Sequence, residues 1–221
     1  DCFLSSQERL RLEREGAVAA ARCGERTVWV DPRDRHIGTA ILEQGAYEPH
    51  VTALLEQRLR PGDVFLDLGA NIGWFTLLAA ARVGPSGRVF AFEPSHRNRQ
   101  LLCRNVTENG FDRVRIFPYA AAEAEGLLEV QSVFSNARVG AVHDARGVAE
   151  WVQAVRGDEV LRNEPRIDWM KIDIEGYEPR ALQGLRDTLR RCRPRIVTEF
   201  DPPGIRAAGG CEPEAYLESL C

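Results

Sequence analysis

The stretch that most constrains this chain is Val64-Phe-Leu-Asp-Leu-Gly-Ala-Asn-Ile-Gly-Trp-Phe-Thr76. Val64 to Leu68 is an apolar run that carries Asp67 near its end and meets glycine at once, the pattern of a parallel strand buried on both faces. A helix follows Gly73. Between them, Gly69-Ala-Asn-Ile-Gly73 reads as a tight turn whose glycines let backbone N–H groups approach a ligand without a Cβ in the way. Asn71, one of the few non-glycine residues that accepts a positive φ, stands where another glycine is expected. The turn departs from the dinucleotide pattern G-x-G-x-x-G twice: its middle glycine is missing, and a carboxylate precedes its first. Asp67 disfavours a pyrophosphate and suits a ligand with positive charge.

Arg88-Val-Phe-Ala-Phe-Glu93-Pro94 is a second apolar strand ending in an acid. Its place, ~20 residues past the glycine turn, is where a carboxylate takes the ribose hydroxyls of an adenosine. S-adenosylmethionine, with an ammonium, a sulfonium and no phosphate, satisfies both strand ends. The competing reading is an ordinary βαβ unit with Asp67 as a helix cap and Glu93 in solvent.

Asp67-Leu-Gly-Ala-Asn-Ile-Gly73, Phe90-Ala-Phe-Glu-Pro94 and Met170-Lys-Ile-Asp-Ile-Glu-Gly-Tyr-Glu178 together resemble the FkbM-type branch of class I S-adenosylmethionine-dependent methyltransferases, over about Gly45 to Pro202. The resemblance implies an α/β, Rossmann-like, doubly wound and mostly parallel sheet. Here the final antiparallel strand pair is missing, which leaves the fifth strand as an open edge. The division expected is an N-terminal helical and short-strand extension over 1–60, packed on a cofactor-binding core over 61–221. The implied activity is transfer of a methyl group to a hydroxyl of a small molecule, a sugar or polyketide-like natural product, with S-adenosylhomocysteine as by-product. The alternative is a cofactor-binding module that serves assembly or regulation within a larger protein. Two placements follow from the resemblance. Tyr47-Glu48-Pro49 closes over the methionine end of the cofactor, unless it is simply a helix start, and Ala121 lies in a loop that passes the adenine. The cofactor-binding candidates are thus Glu48, Asp67, Gly69, Ala70, Asn71, Gly73, Glu93, Pro94, Ala121 and Asp173.

The chemistry is expected from Ile167-Asp-Trp-Met-Lys-Ile-Asp-Ile-Glu-Gly176. As a strand from Trp169 to Ile174, its period of two puts Trp169, Lys171 and Asp173 on one face and Met170, Ile172 and Ile174 on the other. The resemblance sets this strand beside the first, where the strand order reverses and ligands bind. An aliphatic hydroxyl needs a base within hydrogen-bond reach. Asp173 is the first candidate, Lys171 its partner, and Glu175 the next carboxylate on the loop. Of 29 cationic residues only Lys171 is a lysine. A buried lysine can lose its proton whereas arginine cannot, so Lys171 is read either as a base or as an ion-pair partner of Asp173 or Glu199. Asp173, Glu175 and Glu199 could instead hold Mg2+, but no Asp-Asp or Asp-Asn pair supports this and no metal ligand is assigned. Trp74 and Tyr47 offer aromatic faces to a sulfonium, with core packing the commoner fate of such a tryptophan.

Composition narrows the partners. The 221 residues suffice for one α/β domain. A formal charge of -4 carries no basic footprint for nucleic acid. Cys2, Cys23, Cys103, Cys192, Cys211 and Cys221 form no C-x-x-C pair and read as reduced thiols. With no apolar run of membrane length, the expectation is a cytoplasmic protein that meets neither membrane nor nucleic acid. The absence of an initiator methionine points to a piece of a longer multidomain chain, and the open sheet edge to a partner, such as a second copy. Ser5-Ser-Gln-Glu8 reads as a capping box opening a surface helix that ends near Gly24. Further helices are expected over 37–44, 49–59, 74–83, 95–109 (capped by Ser95) and 212–219, and a third strand over 113–117. Leu127 to Val133 and Val148 to Val155 alternate like paired exposed strands, bracketing a loop from Phe134 to Gly147 with Ser135, Asn136 and His143. A loop of that length suits a substrate lid, though a lone loop histidine is most often solvated.

Overall fold

The computed structural model describes residues 18–133, 136–139 and 148–220. Its centre is a five-stranded, wholly parallel sheet in the order β11-β10-β3-β4-β5, built from β3 (Val64–Leu68), β4 (Arg88–Phe92), β5 (Val114–Phe117), β10 (Trp169–Ile172) and β11 (Arg195–Thr198). The chain winds outward from β3 to β5, then returns to lay β10 against the other side of β3. The order therefore reverses between β3 and β10, and the crevice at their carboxyl ends is where a doubly wound sheet binds ligands. Residues 64–68 are buried throughout, as expected of a central strand covered on both faces.

The two faces separate as the period of two requires. Phe65, Val89, Ala91 and Trp169 face one core, with Phe75, Leu77 and Leu78 of α3 (Trp74–Val83) and Leu102 and Val106 of α4 (His96–Glu108). Leu66, Leu68, Phe92, Met170 and Ile172 face the other, against Ala181, Leu182, Leu185, Ile205 and Tyr216. The strand expected to run to Ile174 stops at Ile172, but its alternation holds, since Ile174 packs on the second core with Met170 and Ile172. β11 forms an edge of this sheet among the described residues, and the terminal helix over Pro213–Ser219 reaches it where the hydroxyls of Tyr216 and Thr198 meet at 2.5 Å.

Beside this sheet stands a second, in the order β6-β9-β7-β8, with β6 (Ala120–Ala121), β7 (Gly126–Val133), β8 (Asn136–Val139) and β9 (Val148–Val155). The antiparallel pairing of β7 with β9 is the pair of strands expected from the alternation. The loop expected from Phe134 onward is shorter than anticipated, because 136–139 form β8 on β7. Ser135 and His143 lie outside the described residues.

One expectation fails at the N-terminal side. The helix ending near Gly24 is absent over Ala19–Cys23, which form β1, an antiparallel partner of β2 (Arg26–Val30). Alanine favours a helix, but Ala19, Ala21 and Cys23 alternate with exposed neighbours and bury one face of a strand on the core; packing overrides propensity. The capping box itself lies outside the described residues. Downstream, α1 (Ile37–Gln44) and α2 (Pro49–Arg58) form as expected.

The outer edge of β2 is closed by side chains of α4. Asn109 accepts the N–H of Thr27 at 2.9 Å and donates to its carbonyl at 2.7 Å. Asn105 does the same for Trp29, at 2.6 and 3.1 Å. Two carboxamides one helical turn apart, about 6 Å, match two outward-facing strand residues spaced by about 6.8 Å, so the pair stands in for a missing strand. Asn105 also donates to the carbonyl of Ile72 at 2.8 Å, tying the hairpin to the glycine turn. Replacing Asn105 by Ala orphans three backbone groups, and we expect a loss of about 2–4 kcal/mol, measured as a lowered denaturant midpoint; Asn109→Ala, at the hairpin's outer end, should cost less.

Candidate functional site

At the carboxyl ends of β3, β4 and β10 lies a cavity of about 440 Å³. Its floor is the glycine turn. Gly69 holds φ at 82° and Asn71 at 53°, as its substitution for glycine requires. A Cβ on Gly69 would stand 1.9 Å from the carbonyl oxygen of Asp173, so only glycine allows the ends of β3 and β10 to cross this closely. The amides of Gly69 and Ala70 both donate to the carbonyl of Phe92 at 3.0 Å, which fixes the turn beside the end of β4.

Glu93 is buried in the cavity wall. Its Oε2 accepts the N–H of Asn71 at 2.8 Å and its Oε1 that of Ser95 at 2.9 Å. Burial pushes its carboxyl up to about 7, against the pull of those two amides. Glu93 thus joins the glycine turn to the start of α4 while keeping lone pairs for a ligand. The solvated reading of Glu93 is excluded. Ser95 sits at the helix start but makes no side-chain capping bond.

Beyond the end of β3 from Glu93, Lys171 and Asp173 line the same cavity. Lys171 is the register partner of Asp67, only 4% exposed, with Nζ 2.7 Å from Asp173 Oδ2 and 4.6 Å above the ring centroid of Phe75. Desolvation pulls its pKa down, but Asp173, Asp67 and Glu48 together outweigh that and raise it. Of the two readings of Lys171, this arrangement favours the ion-pair partner of Asp173. Asp173 is lowered: burial opposes its charge, while the Lys171 ammonium and a hydrogen bond with Glu199 favour it. Glu199 is raised by its own burial and by the Asp173 carboxylate.

Asp67 is placed differently from expectation. It is 0% exposed and does not line the cavity. Its Oδ2 accepts the hydroxyl of Thr76 at 2.6 Å rather than capping amides, and its Oδ1 has no hydrogen-bond partner. Burial raises its pKa; Lys171 and Thr76 draw it back. Gly73 also lies outside the wall and serves packing, since a Cβ there would stand 2.6 Å from Leu102 Cδ1. Glu48, Gly69, Ala70, Asn71, Glu93, Pro94, Ala121, Lys171, Asp173 and Glu175 are all brought to the one cavity.

The Tyr47-Glu48 element is anchored by a short relay. Trp74 Nε1 donates to Thr52 Oγ1 at 2.9 Å, and that hydroxyl donates to the carbonyl of Tyr47 at 2.6 Å. Trp74 and Tyr47 both reach the cavity wall. Glu48 and Glu175 hold φ at 43° and 59°, left-handed conformations that cost energy for a side chain and cluster at functional sites. Sequence reasoning missed Phe75, Tyr119 and Tyr177, which also line the cavity; Tyr119 immediately precedes the alanine run already singled out, the one available signal. Among the described residues no group of three or more His, Cys, Asp or Glu is disposed to hold a metal ion. Nor is any described helix long and apolar enough to cross a membrane.

A doubly wound parallel sheet with an acid and a glycine turn at its switch point defines the class I methyltransferase fold. More particularly, a model of the FkbM methyltransferase domain matches residues 67–208, and the chain belongs to that family of enzymes. It is 31% identical over 162 residues to the 31-O-demethyl-FK506 methyltransferase FkbM of Streptomyces tacrolimicus, a match covering 58% of this chain and 62% of that protein. It is 25% identical over 146 residues to the hexuronic acid methyltransferase AglP of Haloferax volcanii, covering 65% and 58%. The chain thus spans about three fifths of each relative's length. The crystal structure of a methyltransferase FkbM from Methylobacillus flagellatus shares the fold, with a TM-score of 0.52 at 21% identity over 74% of this chain and 38% of that one.

Removing the ammonium while keeping bulk, Lys171→Met, leaves the buried Asp67 and the half-buried Asp173 without a counter-charge, a loss of about 3–5 kcal/mol. Acid protonates those carboxyls and relieves the repulsion. Denaturant midpoints should therefore fall more at pH 8 than at pH 5, relative to the unsubstituted protein.

Proposed function

We propose that this chain is an S-adenosylmethionine-dependent O-methyltransferase acting on a hydroxyl of a small molecule, a sugar or a polyketide-like alcohol. The observation that carries the reading is the cavity shared by the glycine turn, Glu93 and Asp173. The donor set suits the cofactor. A carboxylate in a dry wall accepts paired ribose hydroxyls. Asn71, Pro94 and Ala121 complete the adenosyl side, and Glu48 and Tyr47 stand near the methionine end. When bound, the cofactor supplies a methyl group made electrophilic by its sulfonium.

The remaining chemistry belongs to the chain. Asp173, kept ionised by Lys171, takes the proton of the acceptor hydroxyl, and Glu175 is the next carboxylate within the same rim. Lys171 donates no methyl and removes no proton; it fixes Asp173. Holding acceptor and donor together contributes much of the acceleration expected of such a displacement. The names of the relatives support a small-molecule acceptor, and 31-O-demethyl-FK506 supports oxygen as the receiving atom. A second reading, a cofactor-binding module without turnover of its own, is favoured by the partial coverage of those relatives.

Titration calorimetry with S-adenosylmethionine tests the cofactor; absence of heat together with absence of a thermal shift sinks the proposal. Glu93→Gln should weaken binding by at least tenfold while S-adenosylmethionine remains the only variable ligand. Because the free Glu93 carboxyl titrates at about 7, and only its ionised form accepts two hydroxyls, affinity should fall as the pH drops from 8 to 6. The folding linkage has the opposite sign: a carboxyl raised above its unfolded value stabilises the protein at low pH and loses that contribution as the pH rises through about 7. Affinity that is flat across this range would show that Glu93 does not carry the ribose.

A further inference from the structure

The first turn of α4 wraps the Glu93-Pro94 dipeptide. Ser95 gives its N–H to Glu93 Oε1 at 2.9 Å, Arg99 Nη1 donates to the carbonyls of Glu93 and Pro94 at 3.2 and 2.7 Å, and the side chain of Asn98 is hydrogen-bonded to the Glu93 carboxyl itself. Of Ser95, Asn98 and Arg99, only Asn98 lines the cavity. It is 2% exposed, so its carboxamide lies in the same dry wall as the carboxyl it holds.

Core packing does not ask for an asparagine at this place, since the first core takes Leu102 and Val106 from the same helix. A polar side chain at the third helical position often reaches back to the N–H of the residue that opens the helix. Here Glu93 takes that N–H, which leaves the third residue, Asn98, to act on Glu93. Its contribution differs from that of the backbone amides. Asn71 and Ser95 supply one bond to each carboxyl oxygen, and the carboxyl plane can still swing about the line joining those oxygens. A third donor limits the swing.

Resting on the methyl-transfer reading above, we propose that Asn98 is a positioning residue for the cofactor, holding the Glu93 carboxylate in the plane that receives the ribose hydroxyls. The same bond draws the Glu93 pKa down against burial, so its loss leaves the carboxyl protonated to a higher pH. The other charged group that acts on Glu93 is Arg99, which also draws its pKa down; His36, just before α1, and Tyr119, just after β5, are titratable groups elsewhere on the cavity wall. All three are unchanged in the variants below, so their influence cancels in the comparison.

The experiment measures S-adenosylmethionine affinity by titration calorimetry from pH 6 to 9 on the full chain and on Asn98→Ala, Glu93→Gln and the double variant. Asn98→Ala should weaken binding at pH 8 by about fivefold or more and move the pH at which affinity is half lost upward by about half a unit or more. In the Glu93→Gln background the same change should cost less than about twofold, because the group it acts through is already altered. Asn98→Asp keeps the shape and places an acid in the first turn of a helix, where it is tolerated; by setting a second carboxyl beside Glu93 it should move the pH dependence upward further, and it reports if Asn98→Ala does not fold. An unmoved pH dependence in either variant, or equal losses with and without the Glu93 carboxylate, overturns the proposal and leaves the methyltransferase reading standing. Absence of binding by the unsubstituted chain overturns both.

Discussion

The structure depends on one buried ammonium. Lys171 and Asp67 are neighbours across the two central strands, and Asp173 follows two residues later on the same face. An isolated charge in this sheet would be intolerable. Lys171 offsets the buried Asp67 and the half-buried Asp173 at once, and the face of Phe75 takes part of what remains of its charge. The chain uses its sole lysine here where arginine serves elsewhere. A compact ammonium fits beneath a phenyl ring between strands 4.8 Å apart or so; a planar guanidinium demands a wider slot.

From that cluster the site follows by short steps. With β3 and β10 held side by side, their ends approach so closely that Gly69 has no room for a Cβ beneath Asp173. The turn so formed presents the amide of Asn71 to Glu93, which in turn fixes the start of α4. Along that helix Asn105 reaches back to Ile72 and outward to Trp29. The N-terminal hairpin is thereby coupled to the cavity floor through one carboxamide. Such coupling explains why a segment with little chemistry of its own packs on the first core rather than standing apart.

Two carboxyl groups with the same side chain are set to different tasks by their surroundings. Glu93 has backbone amides for neighbours and is raised by burial alone. Glu199 is raised by burial and by the neighbouring Asp173 carboxylate, which Lys171 holds in its charged form. The difference arises from strand order. β10 carries Lys171 two residues before Asp173 and lies beside β11, so Asp173 takes its counter-charge from its own strand and its hydrogen bond from Glu199 at the end of the neighbouring one.

The central sheet, the glycine turn and the family were legible from residues because each is local: an apolar run of five, a turn that needs positive φ, and acids at the ends of strands. The alternation around Lys171 likewise predicted which side chains share a face. What the sequence could not determine were distances across the fold. Whether Lys171 is a base or an ammonium depends on the register that sets Asp67 beside it, and whether Asp67 touches the ligand depends on Thr76 reaching it first. The strand at Ala19–Cys23 and the carboxamides that close the edge of β2 were hidden for the same reason. Local propensity favours a helix for the one and disfavours asparagine inside a helix for the other, and in both places tertiary burial supplied the larger free energy.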